Sequence, residues 1–245
     1  MELTFIGSGN AFGAGGRHNT CFLLAGAKRR LLIDCGASSL VGMRQRGIEP
    51  NEIDGVVLTH LHGDHFGGLP FLLLDAQHIS KRKDGIFVFG PPGLSARLAQ
   101  AQEVLFPGSS TTPPLRFPLD LREMPVGEPS QGDGFTVTPY PADHSAGAPC
   151  YSLRVEMEGK IVAYSGDTAW TEALIEAGRG ADLFICECSS YERAVPGHLD
   201  YKTLAPRLAE IGAKRVIITH MNTDMLALRH TLAHDTAEDG LTIKL

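Results

Sequence analysis

Four apolar runs in this 245-residue chain each stop on a histidine or an aspartate: "VVLTH" at His60, "VTPYPADH" at His144, "IVAYSGD" at Asp167 and "VIITH" at His220. Apolar runs of this length, bounded by Gly, Pro and polar turn residues, predict strands, and the unbroken ones predict strands covered on both faces. A sheet holds its strand ends rigidly while the loops beyond stay open, so groups placed there converge along one edge. The pattern therefore predicts covered sheets and a chemical site at their ends.

The remaining segments fit that frame. "LTFIG", "CFLLAG" and "RLLIDCG" are short strands closed by glycine, spaced as hairpins. "VGMRQRGIEPNEI" predicts a short helical piece, "LPFLLLDAQHIS" a helix, and "IFVFG" a strand leading through proline into the helix "PPGLSARLAQAQEVLF". Later, "YSLRVEMEG", "DLFICEC" and "LTIKL" read as strands. "YKTLAPRLAEIG" reads as one helix closed by a glycine, and "MLALRHTLAH" as another. Residues 107–134, rich in Pro, Gly, Ser and Thr, predict an irregular loop over one face, either a connection or a substrate lid. Strands first paired as hairpins and later alternating with helices predict a layered α/β fold, one domain over residues 1–245.

Composition narrows the partners. The chain is 43% hydrophobic, carries a formal net charge of −6 and has a pI near 5.9, which argues against a broad nucleic-acid-binding surface. The small basic patches Lys28-Arg29-Arg30 and Lys81-Arg82-Lys83 are expected to be solvated turns. Five cysteines without C-x-x-C spacing do not form a disulfide scaffold. Cys186 and Cys188, either side of Glu187, are read as small apolar core residues rather than a metal pair. "MELTFIGSG" lacks the features of a signal peptide, and no run approaches the roughly 20 apolar residues needed to cross a bilayer. A soluble cytoplasmic protein without a membrane partner is the expectation.

The densest stretch, "THLHGDHFGG", explains itself chemically. Side chains two apart in an extended segment point the same way, so His60 and His62 can grip one ion. Gly63 is expected to allow a tight turn, after which Asp64 and His65 open the next helix and face a neighbouring position. His144 would complete the first set, His220 the second, and Asp167 would bridge. Imidazole and carboxylate without thiolate suit Zn²⁺ and tolerate Mn²⁺ or Fe²⁺. Two such ions about 3.5–4 Å apart hold a bridging hydroxide and clamp the attacking and leaving oxygens of a displacement. They also supply the local positive charge that an anionic substrate needs. His198, ahead of a helix, is either a surface residue or a catalytic one. His18, His78, His230 and His234 have no comparable context and are expected at the surface or in outer support.

His60-Leu61-His62-Gly63-Asp64-His65, followed by His144, Asp167 in "SGDT" and His220 in "ITH", resembles the metallo-β-lactamase superfamily. "LTFIGSG", "LLIDCG" and "GPPGL" extend the likeness over nearly the whole chain, within the ribonuclease Z and small phosphodiesterase branch. The resemblance implies an αββα four-layer sandwich with a dinuclear site at one edge. It also implies that Asp34 fixes the site loops, that Asp64 orients the nucleophile, and that His198 protonates the leaving group. A glutamate stands at the position of His62 in oxidative di-iron lineages, so redox chemistry is disfavoured, and the full ligand set argues against an antibiotic substrate. Only 22 residues separate His144 from Asp167, where ribonuclease Z carries a long tRNA-gripping arm, and "MNTDM" follows His220 in place of "FSxRY". The expected substrate is therefore a small or cyclic anionic phosphodiester. A tRNA 3′-processing endonuclease is the runner-up, and an ester, thioester or lactone hydrolase on the same metals a third reading. Relatives in this branch are often homodimers.

Overall fold

The apolar runs pair into two sheets. In the computed structural model, which describes residues 1–109 and 114–245, each sheet has seven strands among the described residues. The first contains β1 (Glu2–Gly7), β2 (Cys21–Ala25), β3 (Arg30–Ile33), β4 (Gly55–Val57), β5 (Ile86–Gly90), β6 (Leu119–Glu123) and, at its far edge beside β1, β14 (Thr242–Lys244). The second runs β13 (Asp235–Thr236), β12 (Val216–Thr219), β11 (Leu183–Glu187), β10 (Lys160–Tyr164), β9 (Tyr151–Met157), β8 (Phe135–Pro141) and β7 (Ser130–Gly132). Each sheet is half antiparallel and half parallel. The antiparallel halves use tight turns: Glu158 (φ 52°) and Gly159 (φ 73°) join β9 to β10, the two left-handed residues that a two-residue hairpin favours.

Parallel neighbours need crossovers, and the helices supply them. On the first sheet these are α1 (Ser39–Gln45), α2 (Gly63–Phe66), α3 (Leu69–His78) and α4 (Leu94–Leu105). On the second they are α5 (Ala173–Gly178), α6 (Tyr201–Leu204), α7 (Leu208–Ile211) and α8 (Thr223–Leu228). Three apolar layers result. Phe22, Leu24 and Leu31 of one sheet meet Val137, Leu153 and Ile185 of the other between the sheets. Ile6, Val56 and Val88 back onto Met43, Leu73 and Leu98 of the first helical layer. Phe184, Cys186 and Ile218 back onto Leu174, Leu204 and Met225 of the second. This is the αββα sandwich. Alternation along β11 places Leu183 and Ile185 between the sheets and Phe184 and Cys186 under the helices, so Cys186 and Cys188 are buried core residues.

Several elements differ from the sequence reading. "LDLREMPV", read as part of a loop, contributes the edge strand β6, and residues 130–132 contribute β7. Edge strands bury one side at most, so their pattern is weak. The loop reading of 107–134 thus fails at Leu119–Glu123 and Ser130–Gly132, and residues 110–113 lie outside the described residues. "YKTLAPRLAEIG" is not one helix, because Pro206 has no N–H to donate and α6 and α7 are separated by a 3-10 turn. "MLALRHTLAH" is helical only as far as Leu228, with a further 3-10 turn at Arg229–Thr231. Arg82, expected in water, is buried. Its guanidinium donates to the carbonyl oxygens of Ile53 (2.8 Å), Gly85 (2.9 Å), Asp84 (2.8 Å) and Pro50 (3.4 Å), pinning the turns before β4 and β5. Arg29 lies partly exposed and pairs with Asp54 and Asp133. Among the described residues, no helix is long and apolar enough to cross a membrane.

Candidate metal centre

The strand ends converge at one edge of the sandwich. His60 follows β4 after the fully buried Leu58 and Thr59, and His62, Asp64 and His65 follow at the start of α2. His144 lies beyond β8, Asp167 beyond β10 and His220 directly after β12. The first four thus come from the first sheet and the last three from the second. Two backbone positions here are left-handed without being glycine: Asp34 (φ 58°), directly after β3, and His220 (φ 60°). Such residues cost about 1–3 kcal/mol each and persist where the surroundings over-determine them. Asp34 is held in that way. It accepts from Thr59 N (2.8 Å), Thr59 Oγ1 (2.8 Å) and His65 Nδ1 (2.7 Å).

The donor atoms form two sets. His62 Nδ1 lies 3.2 Å from His60 Nε2 and 3.1 Å from His144 Nε2. In the second set His65 Nε2 lies 3.3 Å from both Asp64 Oδ2 and Asp167 Oδ1, and His220 Nε2 lies 3.2 and 3.4 Å from the same two oxygens. Asp167 faces both sets, its other oxygen, Oδ2, lying 3.9 Å from His60 Nε2. The remaining ring nitrogens are tied from outside: His60 Nδ1 by Thr59 Oγ1 (3.0 Å), His65 by Asp34, and His144 Nδ1 by the Gly197 carbonyl (2.9 Å).

These distances fit a cation better than a hydrogen-bond network. Four donors held ~2.1 Å from one ion at tetrahedral angles stand about 3.4 Å apart, close to the separations within each set. His65 Nε2 and Asp167 Oδ1 are buried without any hydrogen bond, although they face each other. Buried polar atoms left so are costly unless something else satisfies them. Burial, then the neighbouring His65, holds His60 well below the usual imidazole range, so it keeps the lone pair that a ligand needs. Burial opposes ionisation of Asp64 and Asp167, but the surrounding histidines outweigh it and both are held below the usual carboxylate range. The residues present fit two divalent ions.

His60 and His65 are fully buried beneath a cleft of about 390 Å³ lined by His62, Asp64, His144, Asp167, His198 and His220. None of residues 114–134 lines it. Gly63 also differs from expectation: its φ is not left-handed, and a Cβ there would meet nothing within 4 Å. Gly63 lines the cleft. The turn does require Gly67 and Gly68, where a Cβ would come within 2.4 Å of the Gly63 carbonyl and 2.2 Å of the Gly36 carbonyl. His18, His78, His230 and His234 stand outside the cleft, His18 bonded to Gln45 and His234 to the Tyr201 hydroxyl.

Glu187 stands outside the ligand motifs. It closes β11, fully buried, and accepts from His198 Nδ1 (2.9 Å) and Thr168 N (3.1 Å). A lone acid in an apolar strand was the available signal, because a buried carboxylate needs a partner. Burial raises the Glu187 carboxyl, while the bond from His198 works against that rise. For His198, burial works against the proton, but Glu187 outweighs it and the imidazolium is favoured.

Fold and cleft together define a metal-dependent hydrolase of the metallo-β-lactamase kind. Residues 29–221 match the β-lactamase superfamily domain, and the chain belongs to that family, on its ribonuclease Z-like branch. It is 27% identical over 274 aligned positions to the ribonuclease Z of Methanothermobacter thermautotrophicus, covering 91% of this chain and 87% of that protein. That alignment is longer than the chain, so the relative carries segments that this protein does not have. Among solved structures, the short form of human tRNase Z superposes with a TM-score of 0.80 at 23% identity, covering 100% of this chain and 99% of the other. A diphosphatase of the PhnP family gives 0.78 at 20% identity, covering 100% and 97%. Both share the fold.

Proposed function

We propose that the protein is a phosphodiesterase acting on a small or cyclic phosphodiester, with zinc in the metal centre. The observation that carries this reading is the pair of donor sets sharing Asp167, open to a cleft within the size range of small-molecule sites. His60, His62 and His144 would hold one ion; Asp64, His65 and His220 the other; Asp167 both. Bound there, the ions supply Lewis-acid stabilisation of charge on the phosphoryl oxygens and activation of water as nucleophile.

The chain's own groups do the rest. Asp64, on the cleft floor, orients the incoming water. His198 has Nδ1 committed to Glu187, which leaves Nε2 as the nitrogen free to hand a proton to the departing alkoxide. Glu187 fixes the ring's orientation and favours its charged form. Asp34 and the Gly197 carbonyl fix the tautomers of His65 and His144. The 22 residues between His144 and Asp167 leave no room there for a long tRNA-gripping arm, and a net charge of −6 favours a small substrate over a polyanion.

The test is turnover by zinc-loaded protein on bis(p-nitrophenyl) phosphate, a 2′,3′-cyclic nucleotide, precursor tRNA and an aryl thioester. The proposal expects the two small phosphodiesters to be cleaved fastest. A thioester rate above the diester rates would overturn it in favour of acyl chemistry. Salt-dependent cleavage of precursor tRNA with little small-diester turnover would overturn it in favour of RNA processing.

A further inference from the structure

The rim of the cleft carries a residue that the chemistry above does not use. Phe12 is 91% exposed and lines the same cleft as the donor sets. Single exposed apolar side chains are ordinary, and Ile79, Val104 and Val126 are exposed without lining it. Phe12 differs in how it is held. The side-chain oxygen of buried Asn10 accepts from Phe12 N (3.1 Å) and Ala14 N (3.2 Å), and its carbonyl accepts from Asn19 Nδ2 (3.0 Å). Asn10 Nδ2 donates to Asn222 Oδ1 (2.7 Å), two residues beyond His220, so the loop is tied to the metal-centre loop of the other sheet. Gly13, Gly15 and Gly16 are all left-handed, and a Cβ on Gly15 would press on Leu226 of α8 at 2.9 Å. The loop is seated and hydrogen-bonded, yet it leaves its largest side chain in water. That forgoes the burial of an aromatic ring and presents a flat apolar face on a loop already tied in place.

We infer that Phe12 is a stacking platform for a nucleobase, and that the enzyme selects small phosphodiesters that carry one. The inference rests on the phosphodiesterase reading and names its substrate class. An aromatic face accepts any base, because every base has a π-face, and the half-buried Asn222, which lines the same cleft, offers its amide to a base edge. The lining residues include no lysine or arginine. The phosphate is thus left to the metal centre and the rest of the ligand to stacking and neutral polar groups.

The experiment compares AMP with ribose 5-phosphate as competitive inhibitors of bis(p-nitrophenyl) phosphate turnover by the zinc-loaded enzyme. The two differ at C1 of the sugar, where AMP carries the base and ribose 5-phosphate a hydroxyl. In the wild type AMP should inhibit more tightly by roughly 5- to 150-fold, the range for one base stacked on one ring. Phe12→Ala and Phe12→Leu should bring the ratio close to one, while Phe12→Trp preserves it. Equal inhibition in the wild type, or a ratio that survives Phe12→Ala, overturns the inference while leaving the phosphodiesterase reading intact. A Phe12 effect seen with a single-stranded oligonucleotide but not with AMP overturns the assignment to small substrates. Absence of any phosphodiester turnover overturns the underlying reading, and the inference with it.

Discussion

Gly197 is the position where one methyl group should separate fold from metal binding. It adopts φ +72°, and its carbonyl fixes His144 Nδ1 at 2.9 Å. A Cβ built there falls 2.7 Å from that same nitrogen. Restoring a contact of ~3.5 Å requires the His144 ring to move by about 0.8 Å, a large shift for a ligand that must sit within roughly 0.5 Å of its productive place. Two effects should follow from Gly197→Ala. Left-handed backbone at a non-glycine residue costs about 1–2 kcal/mol, which at this chain length lowers Tm by roughly 2–8 °C. Displacement of His144 and of its outer hydrogen bond should weaken the first metal position by about 10- to 100-fold. Gly180 isolates the first effect: its φ is +66°, but a Cβ there meets nothing within 4 Å. Gly180→Ala should therefore share the loss in Tm and keep both ions. The assay is zinc titration against a competing chelator, with metal content measured after desalting. If Gly197→Ala holds two zinc ions as tightly as Gly180→Ala, the claimed dependence of His144 on this glycine is wrong.

Three further variants test other parts of the molecule. His198→Ala should slow turnover of alkyl phosphodiesters far more than that of p-nitrophenyl esters, whose leaving group needs no proton. In Glu187→Gln the charge that raises the His198 pKa is gone, so His198 loses its proton at lower pH and the alkaline limb of kcat should move acidward. Equal losses on both ester types, or an unmoved limb, would count against the proton-donor role. Arg82→Met should lower stability by about 3 kcal/mol, because four carbonyls lose a charged donor. Differential scanning calorimetry would read this as a Tm fall of roughly 6–12 °C, with kcat per folded molecule unchanged.

What was legible in the sequence was local. "THLHGDH" and the strand-terminal His144, Asp167 and His220 could be read because a strand end is visible as the point where an apolar run stops. The αββα layering rested largely on the resemblance those same residues carry. What escaped depended on partners far away in the chain. Glu187 reads as an oddity between two cysteines until His198 is seen to bond it. Gly197 looks like a turn residue until His144 is placed beside it. Asn10 and Asn222 stand at opposite ends of the sequence, so nothing local connects the loop bearing Phe12 to the metal-centre loop. Arg82 sits in a run of three basic residues, and only the carbonyls around it distinguish it from its neighbours. The edge strands β6 and β7 were hidden for a different reason: with little to bury, they carry almost no alternation.

The division of the donor atoms between the sheets has a mechanical consequence. His60, His62, Asp64 and His65 reach the seam from one side and His144, Asp167 and His220 from the other. An ion seated in either set is therefore a cross-link between distant stretches of chain, closing loops of eighty residues and more. Like a long-range staple, it restricts the unfolded chain most where the loops are longest, and it can form only once both halves of the sandwich have docked. If the ions bind as proposed, full occupancy of both sets requires the two halves to be assembled.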